Sequence, residues 1–243
     1  MAVIRTCDLR KEYQDVVAVD GVSLDVEEGE LFALLGVNGA GKTTLIKMLT
    51  CLTAPTSGDA FVMEHSILRE KEEVKSVIDV SMQETAVARN LTVEENIEFY
   101  AALNGHTKEE IEAAKAALYS AFDLGQVKGK RASKLSGGWQ RKLSIALALV
   151  SDPKVLFLDE PTLGLDVIAR RELWKTIRAL KGRMTIVLTT HYMEEAEALA
   201  DRIGIMKGGK LLFVGTKEAL FAETGKDNVE DAFIRMVGGD LDA

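Results

Sequence analysis

The stretch Gly36-Val37-Asn38-Gly39-Ala40-Gly41-Lys42-Thr43-Thr44 holds, in order, the residue types that a phosphate cradle needs. Glycines at 36, 39 and 41 let the backbone turn tightly and bring N–H groups close to phosphate oxygens. Lys42 is a point charge suited to β- and γ-phosphates, and Thr43 offers a hydroxyl to Mg²⁺. A short apolar run, residues 31–35, precedes the loop, and a helical pattern through Leu45, Ile46, Met48 and Leu49 follows it. Strand, glycine loop and helix form the context in which this pattern binds a nucleotide, because the helix adds its dipole and unpaired N–H groups. Gly36, Asn38, Gly39, Ala40, Gly41, Lys42, Thr43 and Thr44 are therefore the expected nucleotide-binding residues.

A cradle of this kind needs a carboxylate for the metal at the end of another core strand. Val155-Leu156-Phe157-Leu158-Asp159-Glu160 supplies it. Asp159 ends the apolar run where it would face Thr43 and is expected at Mg²⁺, and Glu160 is placed to act as general base on water. Leu135-Ser136-Gly137-Gly138-Trp139-Gln140 opens a helix and forms a second anion site, with the Ser136 hydroxyl and unpaired N–H groups along a helix dipole.

The elements that must position these groups alternate. Residues 3–9 and 16–26 read as strands joined by turns, 60–63 as extended, and 77–82 as a short strand running into Gln83. From 91 to 150 the pattern is mainly helical. Thr92-Val93-Glu94-Glu95 is a capping box opening a helix with Ile97, Tyr100, Ala101 and Leu103 on one face. Thr107-Lys108-Glu109-Glu110 repeats the start signal before residues 111–122. Residues 154–158 and 184–189 read as strands buried on both faces, Asp166 as the cap of a helix over 167–180, and 192–200 as a helix. Residues 203–206 and 211–214 flank Gly208-Gly209 as a hairpin, and 216–221 and 229–237 read as short terminal helices. The implied fold is α/β with a largely parallel sheet and mixed strands at the start.

Of the 243 residues 47% are hydrophobic, enough for a substantial core, and the net charge of −8 argues against a general nucleic-acid binder. Cys7 and Cys51 form no metal-ligand spacing, suit a reducing compartment, and are each expected as small buried hydrophobes. Met1-Ala2-Val3-Ile4 meets Arg5 without an export signal. The apolar runs fall far below the ~18 residues of a membrane span, so no direct membrane insertion is expected.

The ordered set of residues 36–44, Gln83, 135–139, Asp159-Glu160, Gly164-Leu165-Asp166 and His191 resembles the ATP-binding subunit of an ABC transporter over nearly the whole chain. The resemblance implies a P-loop NTPase (RecA-like) core of residues 1–84 and 151–215, a helical signature subdomain of 85–150, and a short helical tail of 216–243. It implies a head-to-tail dimer, most simply a homodimer, with ATP sandwiched between Lys42, Thr43, Asp159, Glu160 and His191 of one subunit and Ser136, Gly137 and Gly138 of the other. By the same resemblance Tyr13 stacks on adenine, Gln83 touches Mg²⁺ and the water and reports to a partner-binding surface, and His191 contacts the γ-phosphate. Asp166 would help couple the paired sites. Leu163, Trp139 and Met82 depart from the common serine, glutamine and proline at their positions, and no catalytic group is lost.

Thr189-Thr190-His191-Tyr192-Met193-Glu194-Glu195-Ala196-Glu197, Gly138-Trp139-Gln140-Arg141-Lys142-Leu143-Ser144 and Val229-Glu230-Asp231-Ala232-Phe233-Ile234 are similar to the ABC-2-type exporter branch. The expected partner is a separate multi-span permease, with the chain cytoplasmic and peripheral on the inner face of the cell membrane. A non-transport ABC ATPase acting on ribosomes or DNA is the competing class. Neither a second fused ATPase domain nor a long coiled-coil insertion supports it, and the acidic balance disfavours it.

Overall fold

The computed structural model describes residues 1–238, and the last residues of the expected 216–243 tail lie outside that range. Alternating apolar residues at the start of the chain form the long strands β1 (Ala2–Tyr13) and β2 (Val16–Glu27). The apolar run that follows is β3 (Leu31–Gly36), buried along its whole length, and it feeds α1 (Lys42–Leu49). Next come β4 (Ser57–Val62), β5 (His65–Ser66), α2 (Lys71–Val77) and β6 (Ile78–Ser81). The helical block is α3 (Val93–Leu103), α4 (Lys108–Phe122) and α5 (Gly137–Ala148). β7 (Val155–Asp159), α6 (Val167–Leu180), β8 (Thr185–Thr190), α7 (Met193–Leu199), β9 (Arg202–Lys207) and β10 (Lys210–Gly215) complete the core. α8 (Lys217–Thr224) and α9 (Val229–Gly238) follow.

Two sheets result. β2-β1-β4-β5 is antiparallel throughout, and the larger sheet has the order β10-β9-β3-β8-β7-β6. Within the larger sheet only the β9–β10 hairpin is antiparallel. The α/β fold with a mostly parallel core and antiparallel N-terminal strands is thus as the sequence implies.

The central strands are apolar on both sides because both faces are covered. Leu31, Ala33 and Leu35 of β3, Leu156 and Leu158 of β7, and Ile186 and Leu188 of β8 share one core with α3, α5, α6, α7 and α9. Their alternate neighbours Phe32, Leu34, Val155, Phe157 and Val187 share a second core with α1 and the antiparallel sheet. Each large side chain fully buried here contributes about 1.5–3 kcal/mol. The central strands are also in register, with Asp159 opposite Thr189 and Leu35 opposite Thr190. That register brings the C-terminal ends of β3, β7 and β8 to one edge, where a ligand crevice forms in parallel sheets.

Both capping boxes form, at Thr92–Glu95 and Thr107–Glu110. Other local expectations are corrected. Leu103 is 69% exposed and leaves the apolar face of α3, where Ile97 and Ala101 are buried. Cys7 is exposed, since Ile4 and Thr6 take the core face of β1 and a register shift between Thr6 and Leu9 returns Leu9 to it, and Cys51 is half-buried. The sequence pattern misses α2, a short polar helix with only Val74 buried, and starts β6 one residue early.

Candidate active site

The loop after β3 is shaped by close contacts that exclude side chains. A Cβ at Gly36 would lie 2.7 Å from the Met206 carbonyl oxygen, and one at Gly41, where φ is +105°, would lie 2.2 Å from the Ala18 oxygen. Gly41 caps α1 with no side-chain hydrogen bond, and no acidic residue occupies the first turn, so the positive end of the helix is presented to the loop. Lys42 is 5% exposed and curls back over the loop, its ammonium donating to Gly36 O at 2.7 Å and Val37 O at 3.3 Å.

Asp159 is fully buried at the end of β7. Its Oδ1 accepts hydrogen bonds from Thr43 Oγ1 at 3.1 Å and Thr189 Oγ1 at 2.5 Å. Its Oδ2 is buried without a hydrogen-bond partner among the described residues. Thr189 thereby joins the site, although the sequence assigns it no role there. Its hydroxyl also accepts from Glu160 N at 3.1 Å.

Glu160 has a left-handed backbone, φ +50°, which is uncommon for a non-glycine residue. Its carboxylate stands between a cation and an imidazole, with Lys42 Nζ 3.4 Å from Oε1 and His191 Nδ1 2.6 Å from Oε2. The His191 ring packs on Tyr192 with centroids 4.2 Å apart, and the Arg170 guanidinium covers the Tyr192 ring at 4.1 Å. Beneath this segment Glu195 is fully buried and accepts from Trp174 Nε1 at 3.0 Å. Burial pushes its pKa up, against the neighbouring Thr190 and Thr162 hydroxyls and the Trp174 donor, which act the other way.

One cleft of about 540 Å³ gathers most of these groups. Asn38, Gly39, Ala40, Gly41, Lys42, Thr43, Thr44, Gln83, Glu160 and His191 all border it. So do Val16, Val17, Ala18, Leu163 and Gly208, of which the first three carry no recognisable signal beyond strand alternation. Asp159 lies beneath the cleft floor, reached through Thr43. Tyr13 stands at the end of β1 opposite Val16, 45% exposed, with Lys11 Nζ 4.9 Å from its ring centre, and Val16–Ala18 form the cleft wall on that side.

Ser136, Gly137 and Gly138 are elsewhere. They open α5, Ser136 caps it without a side-chain hydrogen bond, and Ser136 and Gly137 are exposed. Ser136 and Gly138 border a separate hollow with Trp139, Lys142, Ala169 and Glu172. Lys142 pairs with Glu172 at 3.2 Å and lies 4.8 Å from the Trp139 ring centre. Asp166 caps α6 as the sequence implies, accepting from Ile168 N and Ala169 N at 2.9 Å each.

The sequence pattern of the family described as "ABC transporter" matches residues 19–163, more than half of the chain. The daunorubicin resistance ATP-binding protein DrrA3 of Streptomyces coeruleorubidus is 40% identical over 229 residues, covering 94% of this chain and 72% of that protein. The probable multidrug ABC transporter ATP-binding protein YbhF of Escherichia coli is 36% identical over 242 residues, 97% of this chain but 42% of that protein. The solved structure of CbiO1 from Clostridium perfringens, part of the ABC transporter complex CbiONQ, superposes with a TM-score of 0.84 at 27% identity, covering 99% of this chain and 96% of that one.

Proposed function

The chain belongs to the ABC transporter family, and from that premise we propose that it is the ATP-binding and ATP-hydrolysing motor subunit of an exporter, closing with a second copy around ATP to drive a separate membrane permease. The observation that carries this reading is the Glu160 carboxylate held between Lys42 and His191 at the rim of the glycine loop.

In this reading the amides of residues 36–44 and Lys42 hold the β- and γ-phosphates. The buried, unpartnered Oδ2 of Asp159 beside the Thr43 hydroxyl is a hard oxygen set that fits Mg²⁺, with Gln83 at the same cleft as a further donor. The ion, when bound, neutralises charge on the phosphate oxygens. Glu160 accepts the proton of the attacking water, and His191, already anchored through Nδ1, orients that water and stabilises charge at the γ-phosphate. Tyr13, paired across the β1–β2 hairpin with Val16 of the cleft wall, stacks on the base.

None of Ser136, Gly137 and Gly138 borders this cleft, which supports the reading that they complete the site of a partner subunit. The daunorubicin-resistance and multidrug relatives favour export, and CbiO1, from a multi-component transporter complex, favours assembly with a permease. No helix among the described residues is long and apolar enough to cross a membrane, which is consistent with a cytoplasmic subunit held at the inner face of the cell membrane through that permease. Residues 1–84 and 151–215 serve as the ATP-binding core, 85–150 as the signature subdomain and the residues from 216 onward as the tail. Phosphate release from ATP and Mg²⁺ by the purified chain tests the proposal. Turnover that needs Glu160 supports it, and a parent chain that binds ATP but never releases phosphate overturns it.

A further inference from the structure

Arg141 is a buried guanidinium, 4% exposed, on the second turn of α5. All of its hydrogen bonds go to main-chain carbonyls where β6 and β7 end. Nε donates to Pro161 O at 2.7 Å, one terminal nitrogen to Met82 O at 2.7 Å, and the other to Glu160 O at 2.6 Å and Asp159 O at 3.3 Å. Carbonyls at the ends of strands have lost their ladder partners and need a donor when buried. A planar fork with several fixed donors can serve all of them at once, and a lysine ammonium cannot. The segments so joined are those whose geometry matters most. Glu160 holds its left-handed backbone here, and Met82 is the residue before Gln83. A second tie runs parallel to the first, with Ser144 and Ser81 sharing a hydrogen bond at 3.0 Å between α5 and β6.

We infer that Arg141 is a positioning residue for hydrolysis: it locks the turn that presents Glu160 and the approach to Gln83 onto the helix opened by Ser136, Gly137 and Gly138. A displacement at the start of α5 is then transmitted to the hydrolytic carboxylate of the same chain. Because that start of the helix faces the partner's nucleotide, Arg141 links one composite site to the other. The inference rests on the ATPase reading above.

A double-mutant cycle with Arg141→Lys and Glu160→Gln tests it, using turnover, ATP affinity and thermal melting of the full chain. The expected result for Arg141→Lys is a kcat lower by about 30-fold or more, with KM for ATP within about threefold, since an interaction acting on chemistry alone leaves binding in place. Arg141→Lys should slow Glu160→Gln far less than it slows the parent, because the larger part of its effect, carried through Glu160, is already gone. Additive losses, parent-like turnover of Arg141→Lys, or a kcat loss matched by lost ATP affinity would each overturn the inference. Arg141→Gln carries the same cycle if the lysine variant does not fold, and failure of both to fold also overturns it, in favour of a purely structural role. Turnover of the parent chain judges the ATPase reading separately: if it is absent, that reading fails first.

Discussion

The two ends of the expected ATP sandwich are built in opposite ways. Around the glycine loop the side chains interlock within the chain: Thr43 and Thr189 hold Asp159, and Lys42 and His191 hold Glu160. At the start of α5, Ser136 and Gly137 are exposed and the cap makes no side-chain hydrogen bond. Yet the shank behind that tip is rigid, since every residue from Arg141 to Ala148 is buried. In the proposed reading one region is a preorganised catalytic cleft, and the other is a firmly mounted tip offered to a partner. The difference teaches that order in this molecule is spent on placement in both regions, but on chemistry only in the first.

The sharpest way to separate them is to disable each in turn. Glu160→Gln should lower kcat by about 10²–10⁴-fold, the range for a lost general base, while ATP binding persists. It should accumulate an ATP-bound dimer by light scattering, and turnover at the parent rate would remove Glu160 from the mechanism. Ser136→Arg should do the reverse. The bulk and charge placed on the exposed tip abolish the ATP-dependent dimer and depress turnover by about tenfold or more, with ATP affinity of the isolated chain nearly unchanged. A Ser136→Arg chain that still dimerises on ATP would show that the tip is not a docking element.

Much of this contrast is legible in the sequence, for a physical reason. A phosphate cradle needs glycines, lysine and threonine at fixed spacing, so residues 36–44 announce themselves, and an apolar strand ending in Asp159-Glu160 does the same. Thr189 and Arg141 fall within stretches that carry the resemblance but receive no role from the sequence, because their partners are distant in it. Thr189 looks like any strand residue until the β7–β8 register sets it opposite Asp159. Arg141 looks like a solvated helix position until the fold folds its guanidinium onto carbonyls 18 to 59 residues away. Glu195 is hidden likewise, one of several acids on α7 and the one buried against Trp174. Leu103 errs the other way, since periodicity alone extends an apolar face that the packing of α3 leaves at Ala101.

Glu195 offers a probe of the scaffold beneath the cleft. Its folded-state pKa is raised, so the native protein keeps a proton that the unfolded chain releases as pH climbs past the ordinary glutamate range. Native stability from this group is therefore lost as pH rises between those values. Glu195→Gln, which keeps a neutral side chain at every pH, should gain stability relative to the parent as pH goes from about 4.5 to 8, the span above an unperturbed glutamate. Denaturant midpoints at several pH values measure it. A difference that stays flat with pH would mean that Glu195 is charged in the folded protein.

The smallest effect asks whether the helical block can be loosened without touching the cleft. Thr92 Oγ1 accepts from Glu95 N at 3.2 Å, and Glu95 Oε2 accepts from Thr92 N at 2.7 Å, closing the first turn of α3. The same box closes α4 at Thr107 and Glu110. Removing either cap by alanine substitution should cost about 1 kcal/mol, a fall in Tm of about 2–4 °C for a domain of this size. The caps differ in what surrounds them. Thr92 lies against the segment after Gln83, where Asn96 bonds Ala88 and Leu91, while Thr107 lies at the far end of α3. Equal loss of stability from Thr92→Ala and Thr107→Ala, with turnover unchanged in both, means that the tip and cleft are held by the shank of α5 alone. If turnover falls with Thr92→Ala but not Thr107→Ala, the loop after Gln83 is a second mount, and the division between cleft and tip runs through α3 rather than in front of it.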